Sequence, residues 1–581
     1  MFQVVGCVGS VVVLACGALA QKSPDVRIDT DPAGTSLSAE PSIATSGTTV
    51  HVVWEDWRDG ETDVYYSRST DGGATWLAAE VRLDTDPPGQ AHSRNPVVVA
   101  SGTAVYVAWE EWRSGKTDVY FNRSLDGGVT WLAADVRLNR GPAGFTVAVE
   151  PTIRADGTSV YVTWQDDRLG ANDVFFDRSL DGGTTWLGQQ VRVNTNAGPG
   201  KTSRSHMAVD DGAVYVVWWD LRHTVGIDGD IYFNRSLDDG TSWLANDVRI
   251  DRDPTGLAWS FNPRVAARGD TVHVVWLDRR DGQPDVYYTR SADAGSTWPA
   301  ADVRLDTDAA GAAESTHARM VASGSSVYVA WTDKRDGGSD VYFNGSADEG
   351  VSWLPADVRL DTDPPGSAAS LECELAADRE AVFVTWWETR DTGLSGSNIQ
   401  FNRSLDGGRT WLAQDRRVDS DPTSPGQSRE QHVALSAHCA NVVWYDNRNG
   451  TGDIYTTILF GFQPYGSTTA AAGCSQPRLV GNGRPVLTHP FSVDVVGGVP
   501  NAPAAMMLGA PAALPLFGGT LYVNPVLLLP LALGPAGTVS VPLLVDDPGL
   551  LGATIAFQVA VSDACFPSSV VLTNGLDLWI G

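Results

Sequence analysis

Apolar and polar residues alternate along most of this chain in short runs, broken by clusters of Gly, Pro, Asn and Asp. The 3.6-residue spacing of an amphipathic helix is nearly absent. Runs rich in Val, Ile, Thr and aromatic residues between turn formers predict strands, and an all-β protein. One stretch shows the unit. Pro96–Ala100, Val105–Glu110, Asp118–Arg123 and Ala134–Leu138 predict four consecutive strands, A to D. The same four-part pattern recurs along the chain, with A expected innermost and D outermost.

Between strands C and D stands an eight-residue phrase, Ser-x-Asp-x-Gly-x-Thr/Ser-Trp. It occurs at Ser69–Trp76, Ser124–Trp131, Ser179–Trp186, Ser236–Trp243, Ser291–Trp298, Ser346–Trp353 and Ser404–Trp411. The steps between successive serines are 55, 55, 57, 55, 55 and 58 residues. A fixed period of this length with strand-like content indicates a β-propeller or related array. An Asp in a tight turn accepts hydrogen bonds from its own backbone. A Gly there can take positive φ, and the Trp supplies an apolar plate to bury between units.

Strand B ends each time in Trp-x-Asp/Glu-x-Arg or a close variant. Its tryptophans are Trp54, Trp109, Trp164, Trp218, Trp276, Trp331, Trp386 and Trp444, each with an Arg four residues on. That makes eight B–C hairpins but only seven phrases. The strand-D signature Val-Arg-Ile/Leu/Val-Asp/Asn appears once before the first hairpin, at Val26–Asp29, and no copy of it follows the last strand C. The expected fold is therefore an eight-bladed β-propeller of four-stranded blades. Its ring closes by pairing Val26–Asp29 with the three strands from Gln431 to Thr457, which removes exposed edges.

The seven phrases resemble the Asp-box, or BNR repeat, of sialidase-like propellers, and the likeness covers about three quarters of the chain. The resemblance implies the fold and makes exo-glycosidase chemistry one candidate. Active sialidases also carry an early Arg-Ile-Pro or Arg-Leu-Pro. Here the arginines upstream of Ser69 are Arg27, Arg58 and Arg68, none followed by Ile-Pro or Leu-Pro. No Tyr–Glu nucleophile pair is assignable by motif.

The charge of −29 argues against nucleic acid or an anionic membrane as partner, since both need a basic footprint. Hydrophobic content of 43 % is enough for a large core. Val11–Ala15 lie in an apolar stretch ending at Ala18-Leu19-Ala20, an export signal with cleavage before Gln21. Lipoprotein processing at Cys16 is the alternative. Residues 1–20 are thus expected to be a signal peptide, 21–462 the propeller and 463–581 a separate module. No run is long enough for a comfortable membrane span. A secreted or cell-surface monomer is expected.

From Tyr465 onward the chain has two arginines, no lysine and five aspartates. The alternating runs Thr538–Leu544, Ile555–Val561 and Leu576–Ile580 predict a small β-sandwich. Pro515–Leu521 and Leu572–Leu576 look like a C-terminal module of large secreted proteins of environmental bacteria, which implies location only. Cys474 and Cys565 bracket this module and are expected to pair. Cys373 and Cys439 are expected at opposite ends of neighbouring blades, too far apart to pair.

A residue type present in every blade reads as framework. The Trp-x-Asp-x-Arg constellation is expected to brace its hairpin, with Arg bidentate to a carboxylate across the B–C turn; gripping a substrate carboxylate is the alternative role. The Asp-x-Asp phrases at Asp29/Asp31, Asp84/Asp86, Asp251/Asp253, Asp306/Asp308, Asp361/Asp363 and Asp419/Asp421 could offer oxygens to Ca²⁺. Asp-Pro is also ordinary turn chemistry, and no metal or other cofactor is expected.

The positions that break the repeat are more informative. Fourteen residues before each strand-B Trp stand Glu40, Asn95, Glu150, Arg204, Asn262, His317, Glu372 and Glu430, with Ser205 as the alternative in blade 4. If D–A and B–C loops share a side, these residues ring the channel mouth. Glu40, His317, Glu372 and Glu430 then form one arc, in which crowded carboxylates beside a His suit acid–base work. This arc is the candidate catalytic site, with Glu150, Arg204, Asn95 and Asn262 as ligand contacts. A solvated polar rim is the plainer reading. The expected role is extracellular recognition of a glycan or other surface polymer. The alternatives are a sialidase-like glycoside hydrolase and a structural surface protein.

Overall fold

The computed structural model describes residues 24–465 except 114, 142–144, 196–201, 224–227, 391–395, 405, 421–425 and 437–439. It also describes residues 2–4 and, towards the C-terminus, 478–482, 490–496, 500–516, 519–533, 538–545, 554–562, 570–572 and 575–579. Among these residues there is no helix.

Seven four-stranded antiparallel sheets follow one another, each in chain order A-B-C-D. In blade 1 these strands are Ser38–Ser46, Thr49–Asp56, Asp63–Ser69 and Val81–Arg82. Strand B is buried along nearly its whole length because both faces lie against neighbouring blades. Strand D is shorter than the sequence suggests: in blade 2 only Val136–Arg137 pair with Phe121 and Tyr120.

The eighth blade is completed as expected. Val26 and Arg27 pair with Thr456 and Tyr455, and the Ile28 N–H donates to the Ile454 carbonyl at 2.9 Å. Arg448 also reaches back to Asp25 at 2.7 Å. Asp25 thus does for blade 8 what Glu80, Asp135 and Asp302 do for Arg58, Arg113 and Arg280.

Each core lies between two blades rather than inside one. Val53, Val64 and Tyr66 of blade 1 pack with Val105, Val107, Trp109 and Tyr120 of blade 2. The closing layer joins Ile28, Val50, Val52 and Trp54 to Val443 and Ile454.

The Asp-box turns work as the sequence implies. Asp126 Oδ1 accepts from the Ser124 hydroxyl at 2.7 Å and the Thr130 N–H at 2.8 Å, while Gly128 N–H donates to Ser124 Oγ at 2.8 Å. Asp126 is itself exposed; these bonds hold its carboxyl below the usual range. The turn also touches the preceding blade. Trp131 meets Tyr66 edge-on at 4.7 Å, and Trp186 meets Phe121 at 4.9 Å.

The strand-B arginines differ from expectation in one respect. Arg58 is bidentate to Asp56 at the end of its own strand, at 2.9 and 2.5 Å, rather than to an acid across the turn. It reaches outward to Glu80 and lies 4.1 Å over the ring of Tyr65, which stacks on Trp54. The acid opening strand C, Asp63, instead takes Arg82 at 2.8 Å. Asp56 wins the guanidinium because its two oxygens face the fork directly after a two-residue step.

Beyond blade 8 the strand Asp453–Tyr465 runs on to pair with Gly575–Trp579. Two antiparallel sheets follow, with buried Val493, Val495 and Val541 in one and Met506, Leu508, Phe557 and Val559 in the other. Both sheets lie in the segment where a β-sandwich is expected, and the second is continuous with blade 8. Phe2–Val4 pairs with Val545–Leu543. Cys373 is a buried free thiol. Cys7, Cys16, Cys439, Cys474 and Cys565, and with them the expected Cys474–Cys565 bridge and the leader's cleavage site, lie outside the described residues.

Two outcomes test this framework. Asp25→Ala should cost about 1–2 kcal/mol, a lost charged hydrogen bond in a half-buried site, measured by urea unfolding; no loss would mean the N-terminal strand does not close the ring. Gly128→Ala should cost clearly more than Gly102→Ala. Both have positive φ, +82° and +59°, but a Cβ at Gly128 would lie 1.8 Å from the Tyr66 hydroxyl while Gly102 faces open space. The strain of a left-handed Ala alone is about 1–2 kcal/mol, so equal losses would contradict the inter-blade contact.

Candidate functional site

The inner strands carry a shared irregularity. In blade 1 the A–B register shifts between Ala39 and Ser42, and the same shift recurs in every blade described. At this bulge sit Glu40, Asn95, Glu150, Arg204, Asn262, His317, Glu372 and Glu430, all with φ between 49° and 54°. None is Gly, so each stores backbone strain, a feature that concentrates at functional sites. The shared φ settles blade 4: Arg204 is the equivalent residue, and the alternative, Ser205, is the buried residue beside it.

The bulge lies on the side of the B–C and D–A loops. Ser38 pairs with Asp56 at the base of the hairpin, and Glu61 N–H donates to the Gly89 carbonyl of the next D–A loop. The eight side chains therefore do ring one mouth of the channel.

Glu40, His317, Glu372 and Glu430 line a single cavity of about 480 Å³, within the usual range for small-ligand sites. It is completed by Arg319, Glu374, Trp387, Arg429, Gln431 and His432. Glu430 accepts the Glu40 N–H at 2.8 Å, and Glu372 accepts the Trp387 indole N–H at 3.0 Å. Arg429 lies 5.1 Å over the Trp387 ring. Below the rim, Arg319 Nε donates to Glu374 at 2.7 Å. His317 Nδ1 lies 3.2 Å from Thr316 Oγ1.

Burial, with Glu40 and Glu372 close by, pushes the Glu430 carboxyl up to about 7. Burial and Glu372 also raise Glu40, against the pull of His432. Glu55, on strand B of blade 1, is raised to about 8 by burial and by Glu40. Burial and Arg319 lower His317, keeping its ring neutral at neutral pH. The mouth thus holds carboxyls that keep their protons to higher pH than usual, which suits hydrogen bonding to hydroxyls and proton donation.

The other four sit elsewhere on the ring. Glu150 N–H donates to Glu110 at 2.7 Å and its carboxylate takes Gln165. Asn95 hydrogen-bonds Glu110. Arg204 is exposed at the rim and Asn262 half-buried. Sequence reasoning missed Arg319, Glu374 and His432, two residues further along the same strands, and Trp387, which follows the strand-B Trp. A signal existed: the residue after that Trp varies between blades as Glu55, Glu110, Gln165, Trp219, Leu277, Thr332, Trp387 and Tyr445.

At five D–A junctions three carboxylates converge, for example Asp230, Asp251 and Asp253. One nitrogen of Arg249 lies 2.9 and 3.0 Å from the first two and contacts the third. Arg82 and Arg359 fill the equivalent places at 2.8–3.0 and 2.9–3.1 Å. A Ca²⁺ would have to displace a guanidinium there.

No family model matches this chain, and no curated protein matches it. Among solved structures it is similar to an α-L-arabinofuranosidase of Fusarium graminearum at 12 % identity, over 75 % of this chain and 98 % of that one, TM-score 0.36. It is similar to a Trypanosoma rangeli sialidase at 10 % identity, over 74 % and 91 %, TM-score 0.31. The polysaccharide lyase Uly1 aligns at 11 % identity, over 75 % and 99 %, TM-score 0.41. The assignment as an eight-bladed propeller stands on the chain's own strand pairing.

The raised Glu430 has a pH signature. Its carboxyl titrates near 4.5 in an unfolded chain and near 7 here, so the folded state holds the extra proton between those values. Stability from this group is present below about pH 4.5 and falls as pH rises towards 7. Glu430→Gln should match the wild type near pH 4 and exceed it by roughly 1–3 kcal/mol at pH 8. A pH-independent difference would mean Glu430 is not held protonated.

Proposed function

We propose that this protein is an exported propeller that binds a glycan of a surface polymer in the cavity at its channel mouth. One observation carries the reading: four residues that depart from the repeat, Glu40, His317, Glu372 and Glu430, converge on one cavity. The Asp-boxes and strand-B arginines recur around the ring and serve as framework. Carboxylates, imidazoles, an amide and an indole in one cleft suit a polyhydroxylated ligand, which needs many acceptors and an apolar face. The apolar leader ending at Ala18-Leu19-Ala20 supports export.

The height of Glu430, about 7, favours a second reading. A carboxyl that keeps its proton, set near a second carboxyl group, is the working arrangement of glycoside hydrolases. Glu430 would protonate the departing glycosidic oxygen. Glu372, its oxygen fixed by the Trp387 indole, would act as nucleophile or as base to a water.

A glycan array run beside a panel of fluorogenic glycosides separates the readings. Binding that falls at least about tenfold in the Glu372→Gln, Glu430→Gln double variant supports recognition, since charged hydrogen bonds are lost. Turnover abolished by Glu430→Gln alone, with binding retained, supports hydrolysis. Binding unchanged in the double variant would remove the cavity from the function.

A further inference from the structure

Below its acidic mouth the channel turns basic on one side. Strand A supplies Arg154 in blade 3, Arg204 and His206 in blade 4, Arg264 in blade 5 and Arg319 in blade 6. Ser42, Val97 and Thr152 hold the positions equivalent to His206, Arg264 and Arg319 in blades 1 to 3. In a chain of charge −29 such an arc is a departure needing a cause.

Glu374 takes Arg319 at 2.7 Å. Among the described residues no carboxylate pairs with Arg154, Arg204 or Arg264. Arg264 makes one long bond, 3.4 Å, to the carbonyl of neighbouring Pro263. Burial and the nearby Arg319 pull it down to about 9.

The contact between Arg154 and His206 shows what is missing. His206 Nδ1 accepts the Val265 N–H at 3.2 Å, so it carries no proton. The proton of the neutral ring is therefore on Nε2. That N–H lies 3.0 Å from Arg154 Nη2, which can only donate. Two donors face each other with no acceptor between them. Protonating the ring would not help, and burial beside Arg154, Arg264 and Arg319 holds its pKa well down.

We infer that this arc is an anion site that takes a phosphate- or sulfate-class oxyanion, held by Arg154, His206, Arg264 and Arg319. A tetrahedral oxyanion offers several acceptor oxygens in different directions, matching donors that arrive from four adjacent strands. It would satisfy the facing N–H groups and offset the repulsion among the guanidinium groups. The oxyanion is either free or an ester on a polymer. The site does not rest on the glycan reading, since Arg154, His206 and Arg264 lie outside the acidic cavity.

The test is equilibrium dialysis of the full chain against labelled sulfate and labelled phosphate, with chloride holding the ionic strength. Saturable uptake of about one anion per chain is expected. Arg154→Gln and Arg264→Gln should each weaken it about tenfold or more, while Arg416→Gln, on an exposed strand D, should leave it unchanged. Melting gives a second readout. In chloride alone Arg264→Gln should melt above the wild type, because a repelling charge is gone, and sulfate should reverse that order. Displacement of labelled sulfate by dextran sulfate assigns the group to a polymer ester; failure to displace it assigns it to the free ion. Unsaturable uptake, or uptake equal in all variants, overturns the site.

Discussion

The fold depends on one contact repeated around most of the ring: the Asp-box of each of blades 2 to 7 closing on the strand-C aromatic of the blade before it. In blade 2, Gly128 leaves room for the Tyr66 hydroxyl and Trp131 sets its edge on the Tyr66 ring. The same geometry joins Phe121 to Trp186, Phe176 to Trp243, Phe233 to Trp298, Tyr288 to Trp353 and Phe343 to Trp411. Such aromatic pairs each contribute about 0.5–1.5 kcal/mol beyond buried area. More important, no blade can bury its own faces, so stability belongs to the interfaces. The ring must then close, and blade 8 closes with a strand from the other end of the chain.

Closure by strand exchange has an electrostatic counterpart. Seven of the eight strand-B arginines stack on a strand-C ring, Arg390 being the exception because Gln400 stands there. Each joins an acid of its own strand to a side chain ahead of strand D, an acid in every blade but the third, where it is Gln190. In blade 8 that second acid is Asp25, so ring closure is bonded like any other blade. The framework is nearly uniform, and uniformity frees the inner strands to vary. The bulge holds every one of the eight rim residues at positive φ whatever its identity. A rigid, strained scaffold thus presents an interchangeable side chain at each blade.

What the rim presents is segregated by charge. Glu40, Glu55, Glu372 and Glu430 gather where blades 7, 8, 1 and their neighbours meet, and burial, then mutual proximity, raises Glu40, Glu55 and Glu430. Across and below, Arg154, Arg264 and Arg319 crowd with a single acid, Glu374. Burial of these groups strengthens both fields.

The chain's period, its count of eight hairpins against seven Asp-boxes and its spare Val26–Asp29 strand were enough to foresee the ring and its closure, because strand pairing follows patterns written locally. The rim column was legible for the same reason, since equal spacing from a repeated Trp maps to equal places in space. Which acid each arginine chooses was not legible: Asp56 and Asp63 both lie within reach of Arg58 in sequence, and only the fork's orientation decides. The bulge was hidden because no Gly marks it. Trp387 was hidden because it joins the cavity from the neighbouring strand, and Arg319 and His432 because the bulge lets residues two places further along the same strands reach it. Protonation was decided last and wholly by tertiary structure, since nothing in the sequence around Glu430 marks it: burial and the carboxylates of Glu40 and Glu372 raise it.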